Sequence, residues 1–420
     1  MNGSTDCVDV RRRAGWLPDS QEELESWLSG HRRRVEAKGE HVTLHPVIAE
    51  FQQLIESDPV VRMYLHRMVA EVPHRQHYRK CHLDSVEQML RLINEVLTMA
   101  PEFGKNAVIT PLCAILDWTM GTPAGFAAFR DPRINAMLEK ILTVWCEFLD
   151  SAASLYVLND SPSGWKCAAA QRAIGIEQFE HDPRDAHWGF RSWNDFFTRR
   201  FKADARPLAS PDDDTVIVNA CESVPYRLAT GVKRQDRFWI KRQPYSLQDM
   251  LANDESVEQF VGGTVYQAYL SAMNYHRWHS PVAGTIVSAF RRGGTYFSEV
   301  VSEDWDAVPP PVSQSYLAHV AVRAIILIDA DNPVIGRVAF VAVGMDEVSS
   351  CMIGDNVKPG CHVAKGEELG YFQFGGSTHC LVFRPGAIAD FALAAVPRLH
   401  DPNAPLVLVR SKLATANTTA

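Results

Sequence analysis

Apolar residues in the first half of the chain recur at helical spacing. One stripe follows the i, i+3, i+4, i+7, i+8 pattern: Val47, Ile48, Phe51, Leu54 and Ile55. Positions at this spacing share one face of a helix, which then packs against a core. The stripe therefore predicts an amphipathic helix, and it is core rather than a cofactor-binding surface.

Two further helices are predicted from their start signals. Ser85 and Gln88 form a capping-box pair ahead of an apolar stripe. Asp131-Pro132 supplies an N-cap and a first-turn proline before another stripe. Together these patterns predict a helical N-terminal region over residues 1–190.

The pattern changes after Pro207–Asp214, where short β-branched runs are separated by glycine and turn residues. We interpret six runs as strands: Thr215–Val218, Gly284–Val287, Tyr316–Val322, Ala324–Ile328, Val338–Val343 and Leu406–Val409. Such spacing favours an antiparallel sheet or sandwich, and Asp329–Pro333 is a plausible hairpin connection. The chain is thus predicted to be α+β, with a β-rich domain over residues 191–420.

Composition narrows the class of protein. The chain has 420 residues, 46% hydrophobic and 22% charged, as in ordinary soluble globular proteins. A net charge of −8 argues against nucleic-acid binding, which needs a basic surface. The nine cysteines are scattered without a CxxC pair, so neither a disulfide framework nor a zinc site is indicated and a reducing compartment is favoured.

No targeting or membrane-spanning segment is evident in the sequence. The first twenty residues are polar and carry Arg11–Arg13 without an apolar core behind them, which argues against a secretory signal. The best candidate span, Ala107–Phe126, contains Pro111, Asp117 and Gly121, so it is interpreted as buried helix and turn. We expect a cytoplasmic protein without stable membrane insertion.

The segment Gly376-Ser377-Thr378 is the first candidate for chemistry. A serine hydroxyl held close to the preceding carbonyl can attack it, and glycine at that position removes the Cβ that would obstruct the approach. The resulting ester can break by β-elimination and leave an N-terminal pyruvoyl group, an electrophilic ketone that forms a Schiff base with an amine. The alternative is a purely structural glycine bend beside a serine, which is common in β proteins.

Two histidines three residues apart, His276 and His279, stand beside Pro281. Imidazole titrates near neutrality, so this pair is a candidate for acid–base chemistry. Residues three apart in a strand point to opposite faces, so a bend is needed if both face one site. A zinc site is the alternative, but no third ligand stands at a telling spacing.

Acidic residues offer two weaker candidates. Glu222 follows a predicted strand and could orient a histidine, although an exposed glutamate at a strand end is the commoner case. Asp329 and Asp331 alternate in a way that could suit calcium, but an Asx-rich hairpin is usually only a turn. We therefore assign no metal ligand.

In this order along the chain, several segments together resemble the phosphatidylserine decarboxylase family. They cover roughly residues 190–390 and comprise Phe196–Phe201, Arg206-Pro207, the full YHRxHxP signature at Tyr275–Pro281, Val343-Gly344 and Lys365–Thr378, which ends in Gly-Ser-Thr. The signature followed by Gly-Ser-Thr is highly specific. The resemblance implies a β-rich catalytic domain and self-cleavage at Gly376-Ser377.

The resemblance also implies a role for each candidate residue. Ser377 is implied as the precursor of the pyruvoyl cofactor, and His279 as the base that activates it. His276 is implied to serve decarboxylation, at the substrate carboxylate or at the proton returned to the α-carbon. Glu222 takes the place of the family's activating aspartate and would support His279. The two fragments made at Gly376 are expected to remain associated.

The substrate class rests on similarity to fungal members that act on free L-tryptophan. That similarity is carried by Gly15-Trp16-Leu17, Pro46–Phe51, Ile55–Val61, Glu222 in a Cys-Glu-Ser segment and Trp278 in the signature. It implies a small-molecule amino acid, with L-tryptophan to tryptamine as the leading reaction. Two alternatives stay open: a phosphatidylserine decarboxylase that makes phosphatidylethanolamine, and a non-catalytic relative that acts as a binding module.

Overall fold

The computed structural model describes most of the chain. The described residues are 17–18, 20–39, 42–72, 83–104, 108–236, 245–300, 310–347, 350–398 and 404–418. Arg11–Arg13 and Gly15-Trp16, used above, lie outside them. The fold is α+β, with most helices in the first part of the chain and the strands in the second, as the sequence predicts.

The chain divides into two compact units. One takes Met1–Ile174, His181–Phe196 and Thr295–Ser313, and the other takes Gly175–Glu180, Phe197–Gly294 and Gln314–Ala420. The units therefore interleave along the chain. A single boundary between residues 190 and 191 stays a prediction about which parts fold independently.

The helices begin where the sequence supplies caps and prolines. In chain order they are α1 (Gln21–Ala37), α2 (Pro46–Ser57), α3 (Pro59–Ala70), α4 (Val86–Val96), α5 (Pro111–Met120), α6 (Pro123–Ala128), α7 (Pro132–Asp150), α8 (Ala168–Ile174), α9 (Trp193–Phe197), α10 (Leu247–Met250), α11 (Val257–Phe260) and α12 (Pro310–Val320). Short 3-10 turns occupy Ala152–Val157, Ile176–Gln178 and Leu393–Ala395.

The predicted caps are confirmed. Ser85 Oγ accepts from the Gln88 N–H at 3.1 Å, and Asp131 Oδ1 accepts from the Arg133 N–H at 2.9 Å. The Gln88 side chain accepts from the Asp84 N–H, one residue before the partner that a capping box predicts. Within the described part of the chain, no helix is both long enough and apolar enough to cross a membrane.

Thirteen strands can be assigned over the described ranges. They are β1 (Val216–Val218), β2 (Val224–Thr230), β3 (Thr264–Leu270), β4 (Arg277–His279), β5 (Gly284–Arg292), β6 (Arg323–Ala330), β7 (Arg337–Gly344), β8 (Ser350–Ile353), β9 (His362–Val363), β10 (Glu368–Gln373), β11 (Ser377–Phe383), β12 (Ile388–Phe391) and β13 (Lys412–Ala416).

Antiparallel pairing joins these strands into three sheets as far as the structure describes them. The largest has the order β2-β3-β11-β7-β6-β5-β9, and the smaller ones are β4-β10-β8 and β1-β13-β12. Strand β11 is buried at every position and runs between β3 and β7. Leu381 of this strand belongs to a buried core cluster that also contains Trp278 and Phe340. The strand that begins with Ser377 is therefore central.

Two strand predictions are wrong. Tyr316–Val322 falls largely in helix α12, whose first residues are prolines suited to a first turn; a continuous apolar run cannot be assigned by periodicity alone. Leu406–Val409 forms only one bridge, between Val407 and Ser223, because Pro405 precedes the run and the Val409 N–H goes to a side chain.

Candidate active site

Ser377 is the first residue of the central strand β11. It pairs with Leu270 of β3 on one side and Gly344 of β7 on the other, and it is completely buried. Its Oγ has no hydrogen-bond partner among the described residues. A buried hydroxyl without a partner costs about 1–3 kcal/mol, so its presence in a native core calls for a reason such as reactivity.

The two glycines before Ser377 have different structural reasons. Gly375 has φ of +127°, a backbone conformation that side chains disfavour. A Cβ at Gly376 would come within 3.3 Å of Asp346 Oδ2, so that position needs space rather than backbone freedom. The Gly376 carbonyl oxygen accepts a hydrogen bond from the Met345 N–H at 2.8 Å. A donor therefore already polarises the carbonyl that Ser377 would attack.

His279 lies in strand β4 and is 4% exposed. Its Nδ1 is 2.9 Å from the Gly366 carbonyl oxygen, and its Nε2 is 2.9 Å from the Tyr275 hydroxyl. Burial lowers the pKa of His279 to about 3, so the ring is neutral at physiological pH. A carbonyl only accepts, so Nδ1 carries the proton and Nε2 accepts from Tyr275. Nε2 is thus the basic atom.

His276 is completely buried just before β4. Its ring stacks on Phe197 with centroids 4.0 Å apart, and Phe197 contacts Phe374 edge-on at 4.9 Å. Burial, followed by the positive charge of Arg199, holds the pKa of His276 well below its ordinary value. Arg199 is itself buried and donates to the Met273 carbonyl at 2.9 Å. A neutral imidazole therefore lies in an aromatic setting beside a buried cation.

Glu222 is buried, but its carboxylate does not meet the ring of His279. Arg206 Nε donates to Glu222 Oε2 at 3.0 Å, and the Val409 N–H donates to the same oxygen at 3.0 Å. Both ring nitrogens of His279 have the other partners described above. The link is through the backbone: the His279 N–H bonds the Ala220 carbonyl at 2.8 Å. The expected carboxylate–imidazole contact is absent from this arrangement of the described residues.

Strand β10 connects the signature to the cleavage segment. It pairs with β4, placing Glu368 opposite His279 and Tyr371 opposite Arg277. Only three residues separate the end of β10 from Ser377, where β11 begins. His276 precedes β4 and His279 ends it, so the two histidines do not lie in one continuous strand. The structure thus brings the signature beside the strand that leads to the candidate cleavage site.

Three residues of this region were not singled out from the sequence for their roles. Tyr275 and Arg206 belong to the sequence motifs named above, but the motifs gave them no role. The structure shows that the Tyr275 hydroxyl contacts His279 and that the Arg206 guanidinium contacts Glu222. Asp346 gave no sequence signal. It is 8% exposed and approaches Gly376 only because β7 and β11 pair.

The carboxylates of the acidic hairpin have partners within the protein. Asp329 pairs with Arg337 at 2.8 Å, and Asp331 pairs with His362 at 2.8 Å. No cluster of three metal-binding side chains occurs within the residues described by the structure. A cavity of about 250 Å³ beside this hairpin is lined by His362 and Lys365 among others, and by none of the four candidate catalytic side chains.

A pyruvoyl cofactor would be made from Ser377 itself, and the surroundings fit that group. The hydroxyl is buried without a partner in the described residues, the preceding glycine leaves room over the bond, and an N–H already holds the carbonyl oxygen. These are features that an intramolecular acyl transfer requires.

Comparison with known proteins gives consistent matches. Family models described as phosphatidylserine decarboxylase match residues 45–174 and 193–397. The chain is 41% identical over 305 residues to decarboxylase iboD of Amanita muscaria, covering 67% of this chain and 85% of that protein. It is 34% identical over 406 residues to the L-tryptophan decarboxylase of Psilocybe cyanescens, covering 89% and 88%. A phosphatidylserine decarboxylase proenzyme of Chlamydia trachomatis is 28% identical over 295 residues, covering 70% and 89%.

Proposed function

The chain belongs to the phosphatidylserine decarboxylase family and is a carboxy-lyase, and from that premise we propose that it decarboxylates a free aromatic L-amino acid, with L-tryptophan converted to tryptamine. The proposal includes self-cleavage at Gly376-Ser377 and a pyruvoyl cofactor. The observation that carries it is the buried Ser377 hydroxyl, which has no hydrogen-bond partner in the described part of the chain and stands beside a polarised glycine carbonyl.

In the proposed cleavage, Ser377 Oγ attacks the Gly376 carbonyl carbon and His279 accepts the hydroxyl proton. The Gly376–Ser377 C–N bond then breaks and the proton passes to the Ser377 nitrogen, which leaves an ester. The Tyr275 hydroxyl must first release Nε2 of His279, the basic atom of the neutral ring. The Met345 N–H stabilises the negative charge that develops on the carbonyl oxygen. Glu222 supports His279 indirectly, through the segment whose Ala220 carbonyl holds the backbone of His279.

The ketone formed at residue 377 would react with the substrate amine and accept the electron pair left when carbon dioxide departs. His276 would hold the substrate carboxylate or return the proton to the α-carbon. A neutral imidazole suits the first of these tasks, because a full positive charge would stabilise the carboxylate of the ground state more than the transition state. For the second task the ring would first have to take up a proton. Burial keeps the His276 ring neutral.

The preference for tryptophan follows the relatives and the physics of a small substrate. Two L-tryptophan decarboxylases of Psilocybe species align with about nine tenths of the chain. Amine and carboxylate both take part in the reaction, so selectivity comes from the side chain. An indole buries enough apolar area to supply several kcal/mol at about 25 cal/mol per Å². Phenylalanine and tyrosine would bind less well by only about 1–3 kcal/mol.

The proposed compartment is the cytoplasm. The described cysteines are free thiols, which is consistent with a reducing environment.

Mass spectrometry of purified protein tests the cleavage. We expect two fragments, residues 1–376 and residues 377–420, with a ketone at the start of the smaller one. Ser377→Ala is the matched control and should stay intact and inactive. An intact wild-type chain that nevertheless decarboxylates would exclude the pyruvoyl mechanism.

A substrate panel tests the chemistry against its alternatives. Carbon dioxide release is measured from L-tryptophan, L-tyrosine, L-phenylalanine and phosphatidylserine vesicles under one condition. Fastest release from L-tryptophan, without added pyridoxal phosphate and inhibited by hydroxylamine, supports the proposal. Faster release from the vesicles favours a phosphatidylserine decarboxylase, and no release from any substrate favours a binding module.

A further inference from the structure

The pairing at the cleavage site fixes the direction of the Ser377 Cα–H bond. The Met345 N–H bonds the Gly376 carbonyl, and the Gly344 N–H points away from β11, to the Val322 carbonyl. Opposite residues of an antiparallel pair alternate between hydrogen-bonded and non-hydrogen-bonded. Ser377 and Gly344 are therefore a non-hydrogen-bonded pair. In such a pair the Cα hydrogens point into the gap between the strands, here opposite a residue without a side chain.

Asp346 brings a carboxylate to Gly376, the residue that precedes Ser377. It follows the end of β7, and its Oδ2 would lie 3.3 Å from a Cβ on Gly376. It is 8% exposed and has φ of +49°, a left-handed conformation that is uncommon for residues other than glycine. This backbone turn directs the side chain back over the scissile segment. Strained conformations of this kind cluster at functional sites.

We propose that Asp346 is the base that removes the Cα proton of Ser377 in the elimination step of self-cleavage. The inference deepens the proposed function and rests on it. Once Ser377 Oγ carries the Gly376 acyl group, the Asp346 carboxylate takes the proton from Cα. A double bond forms between Cα and Cβ, the Cβ–Oγ bond breaks, and its electron pair leaves with the Gly376 carboxylate. Water then converts the remaining enamine to the ketone with release of ammonia.

This assignment separates two proton transfers that a single histidine would otherwise have to perform. His279 accepts the hydroxyl proton before the ester forms, whereas Asp346 acts on carbon after it forms. The two groups come from different strands, β4 and the end of β7. Loss of each base should therefore stop the chain at a different covalent state.

The test uses Asp346→Asn in the full-length chain. Asparagine tolerates positive φ and keeps the shape of the side chain, so the fold is retained. A general base contributes about 10²–10⁴-fold, so conversion to the ketone should slow by at least about 100-fold. The ester should accumulate, and neutral hydroxylamine should then cut it to give residues 377–420 with an N-terminal serine. Mass spectrometry distinguishes that serine from the ketone of the wild type. Asp355→Asn, an exposed position, is the matched control and should process normally.

The outcomes separate this inference from the proposed function. A wild-type chain that never cleaves overturns the proposed function itself. A wild type that cleaves while Asp346→Asn cleaves at the same rate overturns the role of Asp346. If the Asp346→Asn chain stays intact and resists hydroxylamine, the defect lies before formation of the ester. That result also overturns the role of Asp346.

Discussion

At the scale of single residues, His279 and His276 have separable environments. His279 has a defined basic nitrogen, held by Tyr275, whereas His276 is stacked among aromatic rings. We expect His279→Ala to leave the chain uncut, with cleavage slowed about 10²–10⁴-fold. His276→Ala should cleave but release carbon dioxide far more slowly. Gel electrophoresis and a carbon dioxide assay separate the two effects, with the exposed His362→Ala as the control. Equal behaviour of both variants in cleavage would refute the division of labour.

Glu222 supports a second prediction at this scale, because it forms a buried ion pair with Arg206. The side chains of the pair are 4% and 11% exposed. Removing one partner leaves an uncompensated charge, so Glu222→Gln should lower the free energy of unfolding by about 3–5 kcal/mol. Cleavage should slow by less than in His279→Ala. The exposed pair of Arg234 and Glu258 is the matched control, and Glu258→Gln should cost at most about 1 kcal/mol. Urea titrations in the Ser377→Ala background measure both.

At the scale of elements, strand β11 decides whether the fragments stay together. After cleavage it would be the first strand of the small chain, and its ladders to β3 and β7 run along its whole length. Strand β13 pairs with β12 on one side and with β1 on the other. We expect residues 1–376 and 377–420 to co-elute in gel filtration and to separate only in denaturant. Separate elution in native buffer would contradict this.

The secondary-structure elements also show where the local sequence pattern predicts the structure correctly and where it does not. Helices α2, α4 and α7 follow from spacing and caps, which are local signals. The apolar run Tyr316–Val322 carried no period, so its helical state depended on its surroundings. Strands β6 and β7 were predicted closely, because the Asx-rich hairpin between them is also local.

At the scale of the whole molecule, buried histidines should make stability depend on pH. Burial lowers the pKa of His279, His319 and His379 to about 3 in the folded protein, below the ordinary value of 6.5. Between these values the unfolded chain binds more protons, so stability rises with pH and is lost on acidification below 6.5. At pH 5 each buried ring lowers the free energy of unfolding by roughly 2 kcal/mol. Urea titrations of Ser377→Ala between pH 5 and 7 should show this loss.

His379→Leu isolates one of these contributions. The ring is completely buried between Tyr266 and Phe340, with no hydrogen-bond partner for either nitrogen among the described residues. Leucine removes the proton uptake of the unfolded chain, so the slope of stability with pH should fall by about one proton. The exposed His362→Leu should change the slope less. An unchanged slope in His379→Leu would show that this ring is not held neutral.

The sequence by itself determined the helical first part and the β-rich second part and supplied the candidate catalytic residues, because caps, periodicity and the signature before Gly-Ser-Thr are local in the chain. Tertiary structure decided which atoms meet. Glu222 was expected at His279, but its carboxylate pairs with Arg206. Asp346 reaches Gly376 only through the register of β7 against β11. Such contacts depend on long-range strand pairing and on competition between partners for each buried charge. Neither can be predicted from the spacing of residues along the chain.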